Sequence, residues 1–245
     1  MDPSEVLRRI SVVLVRPRQP ENIGFVARAV ANHGLGPLIL VEPTVFDPER
    51  ARWSAPGAKD RINNVRIFGR IEDAVRDFEQ VFACTARERR YLRESWNPHT
   101  LCSDFIQAPR STAILFGPED SGLTNEDIAC CRALIRIPTA DTHSLNLAQA
   151  VTTICSLFRH ELGTVENIVE PNEPQITMAA QEILINEVME ILELTGYLHG
   201  RNNDRIRTTL FQLLLRIQED GSEVGILRSM LKGVRHHTGL IKSQD

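Results

Sequence analysis

SVVLVRPRQPENIGFVARAVANHGLGPLILV, residues 11–41, sets two apolar runs on either side of one helical period. SVVLV, residues 11–15, is continuous and β-branched, as in a strand buried on both faces. Pro17 and Pro20 follow it. Asn22 can cap a helix that runs to about His33, and Gly34 or Gly36 can end it. At about 100° per residue, Ile23, Val26, Ala27 and Val30 share one face of that helix. LILV, residues 38–41, is a second strand. Strand, helix and strand in this order predict an α/β fold with a mostly parallel sheet.

The alternation continues downstream. VRIF (65–68), VFACT (81–85), STAILFG (111–117) and ALIRIP (133–138) are further strand candidates, and IEDAVRDF (71–78) is a short helix. HSLNLAQAV, from His143, opens a long helix to about Leu162. GTVENIVEPNEPQ then reads as a linker, with Gly163, Pro171 and Pro174. From about Ile176 the pattern is helical. An acidic helix with Glu182, Glu187, Glu190 and Glu193 comes first, a second starts near Asn203 or Asp204, and a third at Ser222. The expected organisation is an α/β domain over residues 1–163, a linker over 164–175 and a small all-helical extension over 176–245. Residues 199–245 hold eight Lys/Arg and five Asp/Glu. Solvated helix faces and an RNA-binding surface both fit that mild basic bias.

Composition narrows the function classes. The 245-residue chain is 42% hydrophobic and 24% charged, an ordinary globular balance. Its net charge of −4 means that nucleic-acid binding needs a local basic patch. Five cysteines without a CxxC pair argue against a disulfide framework or a zinc knuckle. No N-terminal signal and no membrane-length apolar run is evident, so the cytoplasm is the expected compartment. The histidines show no ligand spacing beyond His236–His237, so no metal is expected.

Four segments carry chemistry or a plain structural role. Arg28 lies off the apolar face of its helix, beside Phe25; it is a solvated arginine or a functional one. Phe25 suggests a covered, inter-subunit surface. AILFGPEDSGLTNEDI, residues 113–128, ends a strand at Gly117 and enters a polar turn in which Thr124 and Asp127 form a capping pattern. Ligands of open α/β sheets bind outside such strand ends. In HSLNLAQAV, Ser144 and Asn146 stand among leucines, either capping a helix or lining a site. Arg87, Arg89, Arg90 and Arg93 suit phosphate recognition, or a solvated run paired with Glu88 and Glu94. No dinucleotide fingerprint and no phosphate loop occurs.

Taken in order, NIGFVARAVANHGLG, ILFGPEDSGLTNEDI and IPT…HSLNLAQAV resemble motifs one, two and three of the SPOUT superfamily, TrmH-like branch. These are S-adenosylmethionine-dependent RNA ribose 2′-O-methyltransferases. SLNLAQAV and the extension with ILRSMLKGV are most similar to the TrmJ subfamily, which methylates nucleotide 32 of the tRNA anticodon loop. The resemblance implies a deep trefoil knot that forms the cofactor pocket. It also implies a homodimer with the active site near the subunit interface, and tRNA as substrate. By motif, Asn22, Arg28, Glu119, Ser144 and Asn146 fall on catalytic positions. Thr85, Ala86, Arg87, Gly117, Ile137, His143, Ser144 and Leu145 fall on cofactor loops. Pro118 stands where many relatives carry Arg. The alternatives are another tRNA position or rRNA, a nucleotide-dependent α/β enzyme, and a non-catalytic RNA-binding protein on the same fold.

Overall fold

A computed structural model of the chain describes residues 1–87, 94–140, 144–165, 167–170, 176–217 and 221–237. The chain divides into two compact units, residues 1–172 and 173–245. In the first unit the elements are α1 (Pro3–Leu7), β1 (Ile10–Val15), α2 (Pro20–His33), β2 (Leu38–Val41), α3 (Pro48–Trp53), α4 (Lys59–Asn63) and β3 (Arg66–Phe68). They continue with α5 (Ile71–Val75), β4 (Gln80–Cys84), β5 (Glu94–Trp96), α6 (Pro98–Gln107), β6 (Thr112–Phe116), β7 (Ala133–Ile135) and α7 (Leu147–Gly163).

The sheet order is β3-β2-β1-β6-β4-β7-β5. Each neighbouring pair is parallel. The continuous apolar runs are explained by cover on both faces. Val12, Leu14, Leu38, Leu40, Ile114 and Phe116 belong to one core with Val26, Val30, Val151, Ile154 and Phe158 of α2 and α7. Their strand neighbours Val13, Val15, Ile39, Val41 and Leu115 are equally buried, and alternation turns them to the other face. β7 lies between β4 and β5, strands that precede it in the chain.

Two sequence expectations shift in detail. α2 starts at Pro20, with Gln19 as N-cap and no side-chain cap bond. Proline suits that first position because its missing N–H would be unpaired there anyway. Asn22 therefore sits inside the first turn, buried, and does not cap the helix. Gly34 ends α2 at φ 74°, a left-handed conformation that glycine adopts freely. After β6, residues 125–130 form turns rather than a helix, although Thr124 and Asp127 make the reciprocal capping bonds. β5 and α6 were not read from the sequence. β5 has three residues, two of them exposed, so it carries no apolar signal.

The second unit holds α8 (Met178–Leu194), α9 (Asn203–Ile217) and α10 (Gly221–His237). Leu184 and Ile185 of α8 and Leu214 of α9 form a small core, joined by Phe211, Leu227 and Leu231. Arg201 stacks over the exposed Tyr197 ring at 4.3 Å.

Candidate active site

A cleft of about 810 Å³, including the solvent at its mouth, opens at the carboxyl ends of β4 and β6. That is the end at which parallel sheets present ligand sites. Thr85, Ala86 and Arg87 line it from the segment after β4. Gly117 lines it after β6, Ile137 after β7, and Ser144 and Leu145 before α7. These are seven of the eight expected cofactor positions, on four separate segments; His143 lies outside the described residues, as do Arg89, Arg90 and Arg93. The lining mixes apolar Phe116, Ile137, Leu145 and Leu147 with polar Thr85, Ser121 and Ser144. A ligand with an apolar body and a few fixed polar ends suits such a wall.

Local structure explains how each wall is held. Thr85 N donates to Ile135 O at 3.0 Å, and Arg87 N donates to Thr85 Oγ1 at 3.2 Å. The wall after β4 is thus tied to β7. Gly117 is required by its own loop: a Cβ there would collide with the backbone of Gly122 and Leu123. The close approach that a missing Cβ permits is made here by the loop itself. Gly122 N closes that loop on Pro118 O at 2.9 Å, with Gly122 at φ 63°. Pro118 and Asp120 also line the cleft, though sequence reasoning did not select them.

The catalytic positions are partly united. Asn22 Nδ2 donates to Glu119 Oε1 at 2.8 Å, and Arg18 N donates to Glu119 Oε2 at 3.2 Å. Both carboxylate oxygens are therefore fixed from the β1–α2 segment. Asn146 Nδ2 reaches Asn22 Oδ1 at 3.5 Å. Asn146 is the N-cap of α7: its Oδ1 accepts from Ala148 N at 2.9 Å, and its own N donates to Gln149 Oε1 at 3.2 Å. Ser144 lies in the loop before the cap and faces the cleft. So Asn146, not Ser144, caps the helix, and it also links motifs one and three.

Arg28 stands apart. It is exposed, and among the described residues it has no hydrogen bond or ion pair. It follows Asn22 by six residues, roughly 9 Å along the helix and about 120° around it. Phe25, on the turn between them, is 50% exposed.

Cys84 borders the cleft, but burial pushes its thiol up to about 12, so it stays protonated. Among the described residues, no group of three or more His, Cys, Asp or Glu is placed to hold a metal ion. No described helix is long and apolar enough to cross a membrane.

The SpoU rRNA Methylase family profile matches residues 9–156. A tRNA (cytidine/uridine/adenosine-2′-O-)-methyltransferase TrmJ of Pseudomonas aeruginosa (strain UCBPP-PA14) is 38% identical over 240 residues, covering 92% of this chain and 93% of the relative. The crystal structure of TrmJ from Z. mobilis ZM4 aligns with a TM-score of 0.76 at 32% identity, over 92% of this chain and 98% of that one. A structure described by the 2-OH methylation of C/U34 on tRNA aligns with a TM-score of 0.52 at 26% identity, over 64% of this chain and 97% of the other.

Proposed function

The chain belongs to the SpoU methylase family, and on that premise we propose that it methylates the ribose 2′-hydroxyl of cytidine or uridine at nucleotide 32 of the tRNA anticodon loop. The coarser activity, tRNA ribose 2′-O-methylation, is that of relatives that match most of the chain, and S-adenosylmethionine is the cofactor of SpoU methyltransferases. The observation that carries the reading is the convergence of four chain segments on one cleft at the strand ends. Position 32 is favoured over 34 by extent. The TrmJ likeness spans the helical extension, whereas the C/U34 protein matches only 64% of this chain.

The bound cofactor supplies a methyl group already activated as a sulfonium. The protein's task is to hold the ribose in line and manage the hydroxyl proton. Thr85, Ala86, Arg87, Gly117, Ile137, Ser144 and Leu145, with His143, are assigned to cofactor binding. Glu119 is immobilised by Asn22 and Arg18 N, and each of its oxygens keeps a lone pair for a ribose hydroxyl. A guanidinium with a pKa above about 12 is a reluctant base. Arg28 is therefore assigned to an RNA phosphate and to the negative charge that develops on the 2′-oxygen. Ser144 and Asn146 orient the loop entering α7.

The same reading includes a homodimer in the cytoplasm. Phe25 and Arg28 share an exposed stretch of α2, and a second subunit there would cover the ring and bring the arginine to a site at the interface. It also includes a trefoil knot, which the insertion of β7 between β4 and β5 favours. Mass-spectrometric mapping of ribose methylation in total tRNA, with and without the gene, tests the substrate. Loss at nucleotide 32 is expected; loss at 34 or elsewhere would overturn the position while leaving the reaction class intact.

A further inference from the structure

The cleft loop is fastened at both ends by the segment that follows β1. Near its start, Glu119 accepts from Arg18 N and Asn22, and Asp120 pairs with Arg18 at 2.7 Å. Near its finish, Arg16 Nη2 pairs with Asp127 Oδ2. The two ion pairs differ in environment. Arg18 and Asp120 are each 53% exposed, and such surface pairs contribute little. The Asp127 side chain is 7% exposed, and a shielded carboxylate left unpaired is costly.

Arg16 reaches this partner from a costly backbone. Its φ is 48°, and that of Glu42 at the end of β2 is 46°. Left-handed conformations are strained for a residue with a Cβ, and glycine would avoid that strain. Here the two strained residues meet: Arg16 Nη1 lies 3.4 Å from Glu42 Oε2, and Arg16 N donates to Val41 O at 2.7 Å. The guanidinium is thus held between the ends of β1 and β2 and aimed at Asp127. Asp127 Oδ2 also accepts from Thr124 N at 2.7 Å, which closes the turn directly after the cleft loop.

We propose that Arg16 is a positioning residue for cofactor binding: through Asp127 it fixes where residues 117–122 stand in the cleft. Arg16 does not itself line the cleft, so it acts on the loop and not on the ligand. The proposal rests on the cleft being the S-adenosylmethionine site.

The test is titration of the full-length protein with S-adenosylmethionine, together with steady-state methyl transfer and thermal melting. Arg16→Gly keeps the backbone conformation and removes the guanidinium. Its dissociation constant and KM for the cofactor should rise roughly ten-fold, with kcat at saturating cofactor little changed. Arg16→Lys should recover much of that loss, because the charge on Asp127 is restored. Arg16→Gly with Asp127→Asn removes both charges, and should melt near wild type while still binding the cofactor weakly. A double variant that regains wild-type affinity would make the pair purely structural and overturn the proposal. So would a kcat loss with unchanged affinity. If wild-type protein failed to bind the cofactor, both the proposal and the cleft assignment would fall; normal wild-type binding with an unaffected Arg16→Gly removes the proposal alone.

Discussion

The two motif positions of α2 are built in opposite ways. Asn22, in the first turn, is buried and bonded to Glu119, and Asn146 reaches it from α7. Arg28, further along the same helix, is exposed, with no hydrogen bond or ion pair among the described residues. The first is pre-organised within one chain. The second is a charge held out for something the chain does not supply. A fixed group and a waiting group should fail differently when removed, and variants at each position can break that contrast.

The largest effect is expected at Arg28. Arg28→Ala should lower methyl transfer by about 10²–10³-fold, the usual loss when a charge-stabilising donor is removed. Melting temperature and cofactor affinity should stay at wild-type values, because no partner is left behind. A clear drop in melting temperature would mean that Arg28 is structural and would end the contrast. Asn22→Ala should do the reverse mixture. It strips Glu119 of a bond and should cost about 1–3 kcal/mol in denaturant unfolding, along with roughly ten-fold in activity. Unchanged stability would argue that Glu119 is held well enough by Arg18 N alone.

Asn146→Ala lies between the two. Loss of the cap costs about 1 kcal/mol, and the link to Asn22 goes with it. Activity should suffer more than folding; a fall in stability with full turnover would leave Asn146 as a cap only. The smallest effect is in acid. Burial pushes the Asp127 carboxyl up, but hydrogen bonds from Arg16 and Thr124 and the guanidinium charge outweigh it and hold it below the usual range. A carboxyl depressed in the folded state stabilises the fold above its unfolded pKa, near 3.9. That stability is lost as pH falls through the folded value. Acid titration of wild type against Asp127→Asn should therefore show the wild type losing more of its stability below about pH 4. Parallel curves would mean that the pair is not coupled to folding.

Much of the fold was legible because buried parallel strands write themselves as continuous apolar runs. SVVLV, LILV and AILF each lie where expected. β5 was not legible, since it has only three residues and Glu94 and Ser95 are exposed, which leaves no apolar run. The cleft was legible only through ordered motifs, since local pattern left Gly117, Ser144 and Asn146 open to structural readings. Long-range partnerships stayed hidden. Nothing in RPRQPEN announces that Arg16 will meet Asp127, 111 residues away, or that Asn22 will leave its own helix cap for Glu119. Side-chain pairing across a sheet depends on strand order, and local periodicity carries no record of strand order.

The most direct measurement is an in vitro reaction of purified protein, an unmodified tRNA transcript and methyl-labelled S-adenosylmethionine, with the label mapped to the nucleotide. Wild-type protein should place it on the 2′-oxygen of nucleotide 32, and Arg28→Ala should place almost none. Label on a base, or no transfer by wild-type protein that binds the cofactor, would contradict the assignment of this cleft to ribose methylation.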